Sequence, residues 1–424
     1  MRSVVQTTDY AAYVSAWDGV ARAGLRHLNL DAWAAGRRYL SLTGVVLNAA
    51  EAAQLRNLTV HFSTLLDAAV DGILNDPDWW SSLAWPWPAI ELARQEPAHP
   101  GGRASLYGRF DCLLDAAGTW QVVEYNADTP SGGREATGLE PSIAHCYAPL
   151  RGLSGRLSRL LVSTLCERIE HHPIPVRRVG IVSSHAWLED MAQATWLAWL
   201  LRRAGVPTLV GDVTDLATHR GRIMLRGQPI DAFYRFYPVE RLYRHAIFAA
   251  LCDASIDGRL LILNGLRGFL AQSKACLAWL WSNRSKLGGA ACTTIQRHLP
   301  PTLLAREPSA VDWVPHSVVK HVNGREGDSV VFGKTLDAAG WEARLLEGGY
   351  VVQEAVTSPA LEDVEVDDVH RRVHRVGPRY ACVGAFSIGG RFGGCYTRLD
   401  GAITSGQATY AATLREPAAA GRRR

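Results

Sequence analysis

The chain has 424 residues, 47% hydrophobic and 20% charged, which excludes a disordered polymer and exceeds what one hydrophobic core fills, so two or three lobes are expected. A net charge of +4 is small for this length and part of it lies in residues 421–424, so no nucleic-acid partner is expected. No membrane partner is expected either: the most apolar run, Trp196–Leu201, is stopped by arginines, and Met1–Tyr10 lacks the apolar core of a signal peptide.

From Asp9 to about Leu74 the apolar spacing predicts helices, including one over Ala49–Leu58, giving a helical N-terminal region over 1–104. Pro86, Pro88, Pro97 and Pro100 with Gly101–Gly102 mark a connection, and Trp79, Trp80, Trp85 and Trp87 read as packing between lobes. A hairpin follows, Tyr107–Leu114 returning over Thr119–Asn126. With Ala116–Ala117 as its turn, Arg109 faces Glu124 and Asp111 faces Val122, and Arg109, Asp111, Glu124 and Asn126 share one face. Two carboxylates and an amide oxygen are hard ligands that suit Mg²⁺, and the adjacent arginine suits a phosphate. Ordinary ion pairs on a solvated hairpin end account for the residue types equally well. Cys112 alternates away from Asp111 toward the core and reads as an inert thiol.

After Pro141 a helix is expected over about Leu150–Ile169, closing a unit at 105–175. Arg178–Ser184, a helix to Arg203 and the strand after Gly205 form a βαβ pattern, the start of an open α/β lobe at 176–262. It lacks the dinucleotide glycine fingerprint, so no nicotinamide cofactor is assigned. Arg235, on a further strand, reads as structural. The acidic run Glu362–Asp368 reads as a solvated segment, and His370 and His374, crowded by arginines, make a poor metal pair. Residues 263–415 form the last large unit and 416–424 a tail. Eight cysteines, scattered singly, show neither zinc spacing nor a disulfide framework and predict reduced thiols in a cytoplasmic protein.

Among 45 Lys+Arg only Lys274, Lys286, Lys320 and Lys334 are lysine, all in one stretch. A compact ammonium does what a planar guanidinium cannot, so lysines retained against an arginine preference point to a nucleotide pocket; chance clustering is the alternative. Lys320 ends a β-branched run before a loop holding Gly324 and Gly327, a turn able to approach phosphates, although ordinary hairpin turns share these features. Tyr350–Gln353 and Gly390–Arg398 are further strands.

These pieces, in this order, resemble the synthetase domain of glutathionylspermidine synthetases and related circularly permuted ATP-grasp ligases. The match rests on Gly108–Asp111 with Glu124–Pro130, Gln272–Lys274, Val319–Lys320 with Gly324–Gly327, Tyr350–Gln353 and Arg398. The resemblance implies an α/β (α+β) ATP-grasp fold in which the 176–262 lobe precedes the core. It implies Mg²⁺ on Asp111, Glu124 and Asn126, and Arg109 and Arg398 at the reacting phosphate. Lys274 and Lys320 would meet the ATP phosphates, with Gly324, Arg325, Glu326 and Gly327 over the nucleotide and Gln353, Glu354, Ala355 and Val356 at the adenine. The acyl substrate would sit by Thr129 and Ser131, which equally suit a helix-entry cap. Where family members commonly carry proline after the strand lysine, this chain has His321, and no separate amidase domain is expected ahead of residue 105.

The reaction so implied is ATP-dependent joining of a carboxylate and an amine through an acylphosphate, giving ADP and phosphate. The acid and amine, small molecules or peptides, are not specified by the sequence, nor is delivery by a carrier protein. A phosphotransferase acting on a hydroxyl and an inactive nucleotide-binding scaffold are the alternatives.

Overall fold

Leu40–Leu47 is buried at all eight positions and lies inside the largest sheet of the molecule. The computed structural model describes residues 1–28, 32–34, 37–307, 309–325 and 327–417. Among these, a nine-stranded sheet runs Arg2–Val4, Leu40–Leu47, Thr409–Arg415, Arg391–Asp400, Arg372–Ile388, Tyr107–Leu114, Trp120–Asn126, with Leu361–Asp367 and Arg151–Gly152 as side partners. Leu40–Leu47 pairs parallel with Thr409–Arg415, so segments near the two ends of the chain lie side by side. The region read as helical does hold two long helices, Tyr10–Leu25 and Ala49–Leu74. The strand between them is a correction. A strand buried on both faces shows no alternation, so periodicity does not mark it.

Ala49–Leu74 starts at a reciprocal cap, in which Asn48 accepts from the Glu51 amide and Glu51 from the Asn48 amide. Its buried stripe, including Leu55, Leu58, Phe62, Leu66, Val70 and Ile73, follows the three-and-four spacing of one helix face. That stripe packs on the large sheet, where Phe62 meets Phe110 edge-on at 6.2 Å. The back of the hairpin is thereby fixed against the core, and its other face is left to chemistry.

The hairpin forms with a different register from the one expected. Its loop has three residues rather than two: Asp115 N–H donates to Thr119 O at 2.9 Å, and Gly118 takes φ 76°, the left-handed conformation such a loop requires. Leu114 pairs with Trp120 and Cys112 with Val122, and then a bulge shifts the ladder. Asp111 consequently faces Glu124, not Val122, and Arg109 faces Asn126, not Glu124. The four side chains still reach one face. Cys112 is buried in the core, and burial pushes its thiol well above the usual range.

A second, all-parallel sheet, Leu261–Ile262, Ala232–Arg235, Val179–Ser183, Thr208–Asp212, is the α/β lobe. The helix expected from Leu150 begins at Leu157, because Arg151–Gly152 first pairs with the edge of Thr409–Arg415. A third sheet, antiparallel, orders Thr302–Leu304, Tyr350–Glu354, Ser317–His321 and Val331–Phe332 over its own small core containing Leu303, Val319 and Val352. Trp85 stacks on Phe269 at 4.4 Å and 11°, a packing contact as expected.

The acidic run is exposed at Glu362, Glu365 and Asp368, as expected, and is corrected at Asp363. Leu361–Asp367 is a strand paired with Arg372–Ile388, and Asp363 is buried, accepting from Ser41, Thr43 and Thr409 hydroxyls at 2.7, 2.6 and 2.8 Å. His374 lies on the strand and His370 at the exposed turn before it, so they share no helix face. No helix among the described residues is long and apolar enough to cross a membrane.

Candidate functional site

A cleft of about 1350 Å³ separates the large sheet from the third sheet, with Trp187–Asp190 and Arg241 of the α/β lobe at one side. The hairpin delivers Arg109, Asp111, Glu124 and Asn126 to it, and Thr129 and Ser131 follow on the same wall. Arg109 grips Asp111 with two parallel bonds, Nε to Oδ1 at 2.7 Å and Nη2 to Oδ2 at 3.0 Å, while its Nη1 donates to Ser131 O at 2.9 Å. Arg398 comes from the far strand and donates to the same Oδ2 at 2.9 Å, joined by Asn126 Nδ2 at 3.1 Å. Burial pushes the Asp111 carboxyl up, but the Arg109 and Arg398 guanidiniums outweigh it and hold the group below the usual carboxylate range. The result is a fixed pair of guanidiniums, with a carboxylate as their common anchor.

Opposite, Glu124 pairs with Lys274 Nζ at 2.9 Å, and the same ammonium donates to Gly324 O at 2.8 Å. Lys274 and Gly324 therefore lie directly behind the cleft wall. Lys320 is buried and donates to Gln353 Oε1 at 2.7 Å and Val123 O at 3.3 Å. Burial lowers its pKa to about 8 despite the nearby Glu124 carboxylate. Lys334 also lines the cleft, against the Phe332 ring, whereas Lys286 is exposed and donates to Asn283 Oδ1. Two of the four lysines, Lys320 and Lys334, thus line the cleft and Lys274 lies behind its wall.

Gln353 is committed to Lys320 through its oxygen and to Thr302 Oγ1 through its nitrogen at 3.0 Å, and so orients the lysine. Beyond it Glu354, Ala355 and Val356 line the cleft, although the Glu354 and Ala355 amides already donate to Pro301 and His316 carbonyls at 2.9 and 3.0 Å. Of the Gly324–Gly327 loop, Arg325 and Gly327 line the cleft and Glu326 lies outside the described residues. Arg325 turns toward Asp128, Thr129 and Glu240.

Among the described residues no three His, Cys, Asp or Glu side chains converge on one point. The expected ligand set has only two carboxylates and an amide, which is the hard-oxygen, low-count set Mg²⁺ tolerates when nucleotide and water supply the remaining ligands. Asp111 and Glu124 stand directly opposite each other, and Asn126, two residue pairs further out, turns its nitrogen toward Asp111. The donors fit the ion in type. Arg109 and Arg398 neutralise Asp111, and Lys274 neutralises Glu124.

Several contributors escaped the sequence. Tyr396 lies under Arg109, ring to guanidinium 5.1 Å, and shares a 2.6 Å hydroxyl contact with Tyr39, 357 residues away in the chain. Gly384 makes room for Arg109: a Cβ there would stand 2.5 Å from Arg109 Cδ. Asp128 sits within the run quoted for the hairpin but showed no sign of its two buried ion pairs, with Arg235 and Arg325. Arg235 is structural, as expected, donating to Tyr237 O and Asn264 O at 3.1 Å each.

Two sheets facing each other across a cleft lined by charges of both signs, with an open α/β lobe alongside, make this an ATP-grasp-type fold. The fold is shared with a glutathione synthetase-like effector from Globodera pallida in apo form, at TM-score 0.64 and 10% identity over 96% of this chain and 98% of that one. A putative gamma-glutamylcysteine synthetase from Methylobacillus flagellatus matches at TM-score 0.43 and 12% identity over 84% and 85% of the two chains. The ATP-grasp ligase PsnB, complexed with a minimal precursor, matches at 0.29 and 15% over 56% of this chain and 88% of its own. A comparison with curated proteins finds no match. Residues 15–414 match the family model for the glutathionylspermidine synthase pre-ATP-grasp domain, and the chain belongs to that family, among the ATP-grasp-like ligases.

Proposed function

We propose that the protein is an ATP-dependent carboxylate–amine ligase that works through an acylphosphate and releases ADP and phosphate. The observation that carries this reading is the convergence of Arg109, Arg398 and Lys320 on a cleft that also presents Asp111, Glu124 and Asn126, with Lys274 behind its wall on Glu124. Cations held in place in this way suit a terminal phosphoryl group while its charge is shared between two oxygens, and they need no reorganisation during the reaction.

In the proposed sequence the substrate carboxylate attacks the γ-phosphorus of ATP and ADP leaves; an amine then adds to the acyl carbon and phosphate leaves. Lys320 and Lys274 bind the phosphate chain, Arg109 and Arg398 face the transferred group, and Glu354–Val356 border the base. Glu124, Asn126 and Asp111 would hold Mg²⁺, which supplies charge neutralisation at the phosphates. Ser131 and Thr129 flank the acyl position, where Ser131 is already tied to Arg109 through its carbonyl. Eight unpaired thiols support a cytoplasmic setting.

The test is a phosphate-release screen of amino acids, short peptides and polyamines with ATP and Mg²⁺, with hydroxylamine as a substitute amine. Hydroxamate formed from one acid, dependent on ATP, supports the reading. A stable phosphorylated product formed with no amine would instead indicate a phosphotransferase.

A further inference from the structure

Asp128 is wholly buried and held from several sides. Its amide, with that of Ala127, donates to Gln272 Oε1 at 3.1 Å, its carbonyl accepts from Asn264 Nδ2 at 2.7 Å, and its Oδ2 accepts from the Val239 amide at 3.3 Å. Its carboxylate pairs with Arg235 of the α/β lobe. Arg235 and Val239 belong to the α/β lobe and Asn264 and Gln272 to the segment that directly follows it, so Asp128 is fixed to both. The remaining partner is different: Arg325, from the glycine loop on the nucleotide side.

Arg325 spends all three of its nitrogens on this side of the cleft. Nε and Nη2 hold Glu240 at 2.7 and 3.0 Å, Nη2 also meets Asp128, and Nη1 donates to Thr129 Oγ1 at 3.1 Å. A guanidinium used in this way serves as a three-way tie, since the fork that would grip a phosphate is filled with carboxylates and a hydroxyl. We infer that Asp128 is a positioning residue that acts through Arg325, joining the nucleotide-side loop to the Thr129 turn so that the two halves of the acyl position are held as one unit. Glu240 is the outer, half-exposed member of the same tie.

The inference rests on the ligase reading for its consequence. A joined wall keeps water from the acylphosphate until the amine arrives. With the wall parted, water adds to the acyl carbon, phosphate leaves and the acid is regenerated, so ATP is consumed without amide. Arg325→Gln, and Asp128→Asn where it folds, are therefore expected to raise ADP released per amide formed from near one to several-fold above it, with the KM for ATP changed less than about twofold. Arg325→Lys, which keeps the charge but cannot reach three partners, should fall between them and the wild type.

Two measurements separate this tie from the reaction itself. In the ligand-free protein, amide hydrogen exchange over residues 127–133 should quicken in Arg325→Gln, whatever the enzyme catalyses. Unchanged exchange there would overturn the tie even if ligation were confirmed. A ratio of ADP to amide that stays at one while turnover falls would reduce Asp128 and Arg325 to structural parts, and a tenfold rise in the KM for ATP would make Arg325 a nucleotide ligand instead. If the wild type joins no acid to an amine, quickened exchange still supports the tie and the ligase reading alone fails.

Discussion

At the scale of single residues, the clearest test is the contrast between lysines in an arginine-rich chain. Lys320 is buried with two oxygen partners, while Lys286 is exposed. Lys320→Arg keeps the charge but forces a wide fork into a slot sized for an ammonium, and we expect kcat/KM to fall about 100-fold, the loss typical of one misplaced transition-state donor. Lys286→Arg should stay within about twofold, as surface changes usually do. Equal effects of the two would show that the lysine pattern has no functional meaning. A pH effect follows from the same residue. Burial holds Lys320 at about pKa 8, so near pH 8 the free protein carries it partly neutral. An anionic phosphate favours the ammonium and raises that pKa, so nucleotide binding at pH 8–8.5 should take up protons, and affinity should weaken as pH rises through that range. Calorimetry in buffers of different ionisation enthalpy reads the uptake directly; it should vanish in Lys320→Arg, and equal uptake in wild type and variant would contradict the assignment.

Strands and turns carry the next level of evidence. The hairpin face was legible because alternation needs only residue order, and Arg109, Asp111, Glu124 and Asn126 did reach one cleft. Its register was not legible, since Val122 and Val123 are alike and nothing local says which one bulges. Asp363 looked solvated for a related reason: its three hydroxyl partners, Ser41, Thr43 and Thr409, are remote in sequence. Asp363→Ala strands all three and should cost about 2–4 kcal/mol of stability, seen as a lowered urea or thermal midpoint. An unchanged midpoint would mean that the buried contacts contribute nothing net. Gly384 offers a test on the next strand. It faces Asp111 across the ladder, and a Cβ would meet Arg109 Cδ at 2.5 Å and Tyr396 O at 2.9 Å. The carbonyl cannot retreat, so the guanidinium must, and Gly384→Ala should lower kcat roughly 100-fold at equal folded protein. Wild-type kcat in that variant would remove Arg109 from the reaction.

For the whole molecule, single strands and loops were readable from the sequence, but their assembly was not. The parallel lobe followed from its βαβ pattern, and the glycine loop and lysine strand from their punctuation. The pairing of Leu40–Leu47 with Thr409–Arg415 joins segments from opposite ends of the chain, and no local signal announces such a contact. The same holds for Tyr39 and Tyr396, which meet only because that pairing closes the sheet beneath Arg109. What the assembly builds is a cleft with Arg109, Arg398 and Lys320 fixed in its wall, proposed above as the site of the phosphate chain. The central claim is attack at the terminal phosphorus, and it is tested most directly by identifying the nucleotide product of turnover with an acid and an amine. Chromatography of the quenched reaction should show ADP and phosphate in equal amounts. AMP with pyrophosphate would contradict it, whatever the two substrates proved to be.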